Sequence, residues 1–228
     1  MGEHVTWPSN GGTADGYLAL PDGPGPGVIV IQEWWGLVPH VEDVADRFAQ
    51  QGFVALAPDI YHGAKTTEPD EAVKLLMGLA MDTAARDIAG AARYLAARYE
   101  VTGPGVGAVG FCMGGSLALW SGTLAPEVVA TVGFYPAIPW ERMSPTWAEY
   151  GGKAALIHTC EEDGGAAAEG IVAARRAIQE AGGDVAVHDY PGTAHAFFNN
   201  TRPEVYAAQA SASAWRRTVD FLRERVVG

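Results

Sequence analysis

The chain has 228 residues and is 48% hydrophobic, enough for a substantial core and too apolar for wholesale disorder. Its formal net charge of -12, with no basic patch, argues against a nucleic acid or an anionic membrane as partner. Two cysteines are too few for a disulfide scaffold, and neither a signal-peptide pattern nor an apolar run of membrane-spanning length is found. The expectation is a soluble, reduced, cytoplasmic protein, monomeric or a small homo-oligomer.

In chain order, the Gly/Pro-rich stretch from Pro21 to Gly27 predicts a turn leading into a buried parallel strand, Val28 to Ile31. Val41, Val44, Ala45 and Phe48 fall at helical spacing, and Gly52 stops that helix. Phe53 to Ala57 reads as a strand ended by Pro58, and two helices follow, around Pro69 to Leu79 and Thr83 to Tyr99. Val106 to Gly110 is the next strand, then Val128 to Tyr135, then Ala154 to His158. An alanine-rich helix from Ala166 to Ala181 ends at Gly182-Gly183, Val185 to Tyr190 is a strand, and Glu204 to Val226 is a closing helix. Strand and helix alternate without repeats or linkers, so the prediction is one α/β domain over residues 1–228, with a mostly parallel sheet covered by helices on both faces.

The run Gly110-Phe111-Cys112-Met113-Gly114-Gly115 has the frame G-x-C-x-G-G, a nucleophile elbow with cysteine where serine usually sits. A strained strand-to-helix turn leaves no room for β-carbons two residues either side of the nucleophile, which explains Gly110 and Gly114. The helix that follows offers its N-terminal dipole to a thiolate and to a developing oxyanion. Gly105 to Gly110 also matches G-x-G-x-x-G, but these glycines straddle a strand instead of following it, so a dinucleotide site is set aside. No phosphate loop and no histidine pair at metal-ligand spacing occurs.

A cysteine nucleophile needs a base, and the base needs an orienting acid. Asp163 follows the strand Ala154 to His158, and His195 follows the strand ending at Tyr190. In an α/β-hydrolase sheet the order nucleophile, acid, histidine is the required one, which gives Cys112, Asp163 and His195. Asp163 belongs to the run Glu161-Glu162-Asp163, and either glutamate is an alternative acid. His158 and His188 sit within strands and read as structural. Cys160 reads as packing, with a resolving thiol as the alternative.

Gln32-Glu33-Trp34-Trp35-Gly36 directly follows the first buried strand, where such folds donate an oxyanion-hole amide. The backbone N–H groups of Trp34 and Met113 are the two expected donors. Glu33, a carboxylate at the end of a buried strand, either anchors the loop or faces the Cys112 thiol.

With Q-E-W-W-G at 32 to 36, Ala57-Pro58-Asp59-Ile60-Tyr61, G-F-C-M-G-G at 110 to 115, E-x-D at 161 to 163 and G-x-x-H-A-F from Gly192 to Phe197, the chain resembles the dienelactone hydrolase family. The resemblance spans nearly the whole sequence and implies an α/β-hydrolase fold with a Cys112–His195–Asp163 triad and no cofactor or metal. It also implies that Glu33 contacts the thiol at rest and helps generate the thiolate when substrate arrives. Family members that act in chloroaromatic breakdown hold a substrate carboxylate with two arginines. Here Glu68-Pro69-Asp70-Glu71 and Asn199 stand at those places, leaving Arg202 as a substitute if its loop reaches. Tyr135 is retained as a further substrate-binding residue, and Trp34 and Trp35 suggest a more apolar pocket.

The expected reaction is hydrolysis of activated esters or enol-lactones through a thioester. Thiolate leaves more readily than alkoxide, so an intermediate from a simple alkyl ester collapses backwards, whereas an enolate or phenolate leaves forward. The rival readings are a broad carboxylesterase or thioesterase of the same fold and a non-catalytic scaffold that binds a small ligand.

Overall fold

The computed structural model describes residues 2–9 and 11–227, with the backbone alone for residue 166. An antiparallel hairpin, β1 (Glu3–Ser9) and β2 (Gly12–Ala19), opens the chain, with Gly11 in the left-handed region at φ 78°. Then follow β3 (Gly25–Ile31), α1 (Pro39–Gln50), β4 (Val54–Pro58), α2 (Pro69–Gly78) and α3 (Met81–Ala96). The second half holds β5 (Val101–Phe111), α4 (Met113–Leu124), β6 (Val128–Phe134), β7 (Ala154–Cys160), α5 (Ala166–Glu180), β8 (Asp184–Tyr190) and α6 (Ala208–Val226). Two short 3-10 turns, Trp140–Arg142 and Trp147–Tyr150, lie between β6 and β7.

The eight strands form one sheet in the order β1-β2-β4-β3-β5-β6-β7-β8. β4 to β8 and β3 pair in parallel, and β2 joins them antiparallel through β4. Side chains alternate across the sheet as strand geometry requires. Val28 and Val30 of β3 pack with α1 and α6 residues such as Val44, Phe48, Val219 and Leu222. Ile29 and Ile31 point the other way, into a core with Ile88, Leu95 and Leu117 of α3 and α4. The near-continuous apolar character of β3 and β4 is therefore the signature of strands covered on both faces. A third cluster seals α5 against β7 and β8 through Ile171, Ile178, Ala155, Ile157 and Val185.

Three departures from the sequence reading have local causes. The hairpin has no clear apolar alternation because β1 is an edge strand, and its Trp7 is buried by stacking on Tyr94 at 4.9 Å. β5 begins at Val101, ahead of Gly103-Pro104-Gly105, because its register against β3 shifts there, from Pro26↔Thr102 to Gly27↔Val106. α6 starts at Ala208 and not at Glu204, because the Ala207 N–H is still bound to the carbonyl of Phe197 in the preceding loop. The glycines of the G-x-G-x-x-G match all lie inside β5. Among the described residues, no helix is long and apolar enough to cross a membrane.

Candidate active site

Parallel strands deliver their following loops to one edge of the sheet, and the candidate residues meet there. Glu33 follows β3, Cys112 follows β5, Tyr135 follows β6, Cys160 ends β7 with Asp163 just beyond, and His195 follows β8. Cys112 is held at φ 54°, ψ -118°, a conformation an L-residue adopts only when its surroundings enforce it. The enforcement is visible in the flanking glycines. A β-carbon at Gly110 would lie 1.9 Å from the carbonyl oxygen of Gly114, and one at Gly114 would lie 2.3 Å from that of Gln32. The start of α4 is thus pressed against the end of β3, at Ile31 and Gln32. Met113 is the first residue of α4, whose opening N–H groups have no intrahelical acceptor.

His195 Nδ1–H donates to both carboxylate oxygens of Asp163, at 2.8 and 2.9 Å. The other two acids of the run brace the histidine loop. Glu162 accepts the His195 backbone N–H at 3.2 Å, and Glu161 accepts that of Gly192. Burial pushes the imidazole toward its neutral form, but hydrogen bonds with Asp163 and with the thiols of Cys112 and Cys160 outweigh it and raise its pKa well above the ordinary value. Tyr135, strained at φ 38°, sets its ring edge-on to His195 at 5.0 Å.

Cys160 Sγ, a carboxylate oxygen of Asp163 and a ring nitrogen of His195 all lie within 4.8 Å of one another. Burial raises the Cys160 thiol, and its hydrogen bonds reach both His195 and Asp163. The packing role that sequence gave Cys160 is thus incomplete. It is the last residue of β7, and the strand aims it at the acid–histidine pair. Its position three residues before Asp163 was the available signal.

Glu33 is 2% exposed, and burial raises its carboxyl above the usual range. Its Oε2 accepts a hydrogen bond from Asn199 Nδ2 at 2.8 Å, and among the described residues Oε1 has no hydrogen-bond partner. The Asn199 amide thus holds one oxygen of Glu33 at the end of β3. Asn199 stands where the family's second carboxylate-binding arginine is expected, and here its amide serves Glu33. Its own Oδ1 is fixed by the N–H and hydroxyl of Thr201, at 3.0 and 2.6 Å. Tyr61, of the A-P-D-I-Y motif, is a further residue that sequence left without a role. Its hydroxyl lies 3.2 Å from Met113 Sδ, and burial first, then the Cys112 charge, push its pKa upward.

Tyr135 is fully buried behind His195, so in this conformation it backs the histidine instead of lining an open pocket. Trp35 and Arg202 do line one, a cavity of about 540 Å³ shared with His40, Thr66 and Asn199. The Arg202 guanidinium lies over the Trp35 ring at 5.9 Å and is paired with Glu204 at 2.9 Å. Trp34 packs edge-on to Trp35 at 5.0 Å.

Comparison with known proteins agrees with this geometry. The profile of the dienelactone hydrolase family matches residues 14–226. "Protein usf" of Aquifex pyrophilus is 35% identical over 98% of this chain and 99% of its own length. A "putative carboxymethylenebutenolidase" of Aquifex aeolicus (strain VF5) is 32% identical over 98% of each chain. The crystal structure of a dienelactone hydrolase-like promiscuous phosphotriesterase from metagenomic libraries superposes with a TM-score of 0.81 at 23% identity, covering 99% of this chain and 98% of that one. The eight-stranded sheet, the Cys–His–Asp constellation at its edge and the profile match lead to one assignment: the chain belongs to the dienelactone hydrolase family of the α/β-hydrolase superfamily and is a cysteine-dependent hydrolase of carboxylic esters.

Proposed function

We propose that Cys112 is the nucleophile, His195 its base and Asp163 the orienting acid, and that the substrates are enol-lactones or aryl esters. The observation that carries this reading is the elbow. Cys112 alone of the two thiols sits on a strained turn at a helix N-terminus, at the sheet edge that also carries a histidine whose Nδ1 is held by Asp163. A helix N-terminus stabilises a thiolate, while Cys160 ends a buried strand, where desolvation favours the neutral thiol.

In the reaction, the Cys112 sulfur attacks the carbonyl carbon while its proton resides on His195. The tetrahedral oxyanion is received by the Trp34 and Met113 amides, each donor contributing roughly 3 kcal/mol. The carbon–oxygen bond to the leaving group breaks, and His195 returns the proton to the departing enolate or phenolate. Water, deprotonated by His195, then attacks the thioester and releases the acid. Glu33 serves as a gate: its carboxylate, in moving from Asn199 toward Cys112, takes the thiol proton and relays it to His195, leaving the thiolate. The name of the Aquifex aeolicus relative, a butenolide hydrolase, supports the lactone side of this reading.

Trp35 and Arg202 are proposed to receive the substrate, an aromatic or conjugated acyl group on the indole and a carboxylate at the guanidinium. Support comes from their shared cavity, whose 540 Å³ suits a ligand of one or two rings. The test is turnover of cis-dienelactone and p-nitrophenyl acetate by Cys112→Ala and Cys160→Ala. Loss of both activities in the first variant, with turnover by the second retained, is expected. Retained turnover in Cys112→Ala sinks the assignment.

A further inference from the structure

Cys160 takes no part in the reaction above, yet it is held against the two residues that make the base. Its sulfur, an Asp163 oxygen and a His195 ring nitrogen already lie within 4.8 Å of one another. Tetrahedral zinc holds sulfur, nitrogen and oxygen donors roughly 3–4 Å apart, so closing the set needs a shift of about an ångström or less. The donor types also suit the ion, since thiolate, imidazole and carboxylate together favour a borderline-soft divalent metal over magnesium or calcium. Each donor is independently anchored. Cys160 is paired in register with Tyr190 across β7 and β8, and the His195 loop is tied down by Glu161 and Glu162.

Access is present as well. Asp163 and His195 are partly exposed, and between their two loops lies an open cavity of about 420 Å³ lined by Glu161, Glu162, Gly192, Thr193 and Ala194. Two carboxylates at its wall raise the local concentration of a divalent cation.

We propose that Cys160, Asp163 and His195 form an inhibitory site for a thiophilic divalent cation, with zinc as the ion that fits. Binding forms bonds from the metal to Cys160 sulfur, His195 Nδ1 and an Asp163 oxygen, and water completes the coordination. The Cys160 thiol proton and the Nδ1 proton pass to solvent. The imidazole then keeps its remaining proton on Nε2, and with Nδ1 metal-bound it has no lone pair left to accept a proton from Cys112 or from water. Turnover stops although Cys112 is untouched. This inhibitory step rests on His195 being the base, as proposed above; the binding itself does not.

The test separates the two. Cobalt(II) replaces zinc as a spectroscopic probe, because a thiolate ligand gives it a charge-transfer absorption. The full-length wild-type protein and Cys112→Ala are expected to take up one cobalt ion with that absorption, and Cys160→Ser to lose it. Absorption that survives in Cys160→Ser and vanishes in Cys112→Ala overturns the proposal, placing the metal on the nucleophile. In parallel, zinc chloride is expected to inhibit wild-type hydrolysis of p-nitrophenyl acetate reversibly, with chelator restoring the rate. Cys160→Ser, measured relative to its own rate without zinc, should need at least tenfold more zinc for half-inhibition. Equal zinc sensitivity in that variant overturns the inhibitory site. A Cys112→Ala variant that still turns over ester defeats the reading of the nucleophile while leaving the cobalt result to decide the metal site.

Discussion

At the scale of single residues, the site is a set of competing claims on one imidazole. Asp163 holds Nδ1, and hydrogen bonding that favours the charged ring outweighs burial and raises the pKa of the imidazole. Replacing Asp163 with Asn removes the anion and favours the wrong tautomer, so kcat is expected to fall by roughly 10²–10⁴-fold with little change in KM. Steady-state kinetics on p-nitrophenyl acetate checks this. Glu33 and Asn199 form a second coupled pair. Burial raises the Glu33 carboxyl, and the Asn199 hydrogen bond, which favours the carboxylate, opposes that rise. Asn199→Leu removes the opposing bond, so the Glu33 pKa climbs further and the acid limb of the kcat/KM profile moves to higher pH. A profile that stays in place would show that the charge on Glu33 is not used.

At the scale of elements, the elbow is a steric lock between β3, β5 and α4. A β-carbon at Gly114 would meet the carbonyl oxygens of Gln32 and Ile31 at 2.3 and 2.4 Å, both backbone atoms that cannot swing away. Gly114→Ala is therefore expected to cost about 3 kcal/mol, near the upper end for overpacking, and to lower Tm by roughly 6–12 °C. Calorimetry measures the first effect. Thiol alkylation of Cys112 in the folded variant measures the second, a slower rate as the nucleophile is displaced. The hairpin depends on a different kind of contact. Trp7 is 1% exposed and stacks on Tyr94 of α3, so it pins the edge of the sheet to that helix. Trp7→Ala should cost about 3–5 kcal/mol, measured by denaturant unfolding, with the catalytic constants of the folded fraction unchanged.

At the scale of the whole molecule, two buried histidines govern the response to acid. Burial holds His158 down to about 3, with Thr218 and Tyr190 on its two ring nitrogens, and holds His40 down to about 4. An unfolded histidine takes up a proton below about 6.5, whereas these two remain neutral in the fold. The stability that they contribute is complete above that value and is lost as pH falls from about 6.5 toward 4 and 3. Each contributes roughly 1 kcal/mol per pH unit in that window. Glu33 works in the opposite sense between its ordinary and raised values. Tm is expected to drop by several degrees between pH 6.5 and pH 5. His158→Gln should flatten that slope, and a wild-type Tm constant over the interval would contradict the account.

Much of this was legible in the sequence. The β-branched runs of β3 and β4, the helical spacing of α1 and the glycine frame around Cys112 determined a doubly covered parallel sheet with an elbow, because local sterics and apolar periodicity act within a few residues. The order Cys112, Asp163, His195 followed from the same logic. The edge hairpin is not legible because β1 and β2 are half polar, and the helical pattern of α6 extends back to Glu204, ahead of its actual start at Ala208. Only the tertiary structure decided which acid meets the ring, that Asn199 holds Glu33, that Tyr135 stands behind His195, and that Cys160 lies beside the acid–histidine pair. Those facts depend on the register of β7 against β8 and the path of the loop after β8, where residues over thirty apart in sequence meet and no local pattern reports the distance.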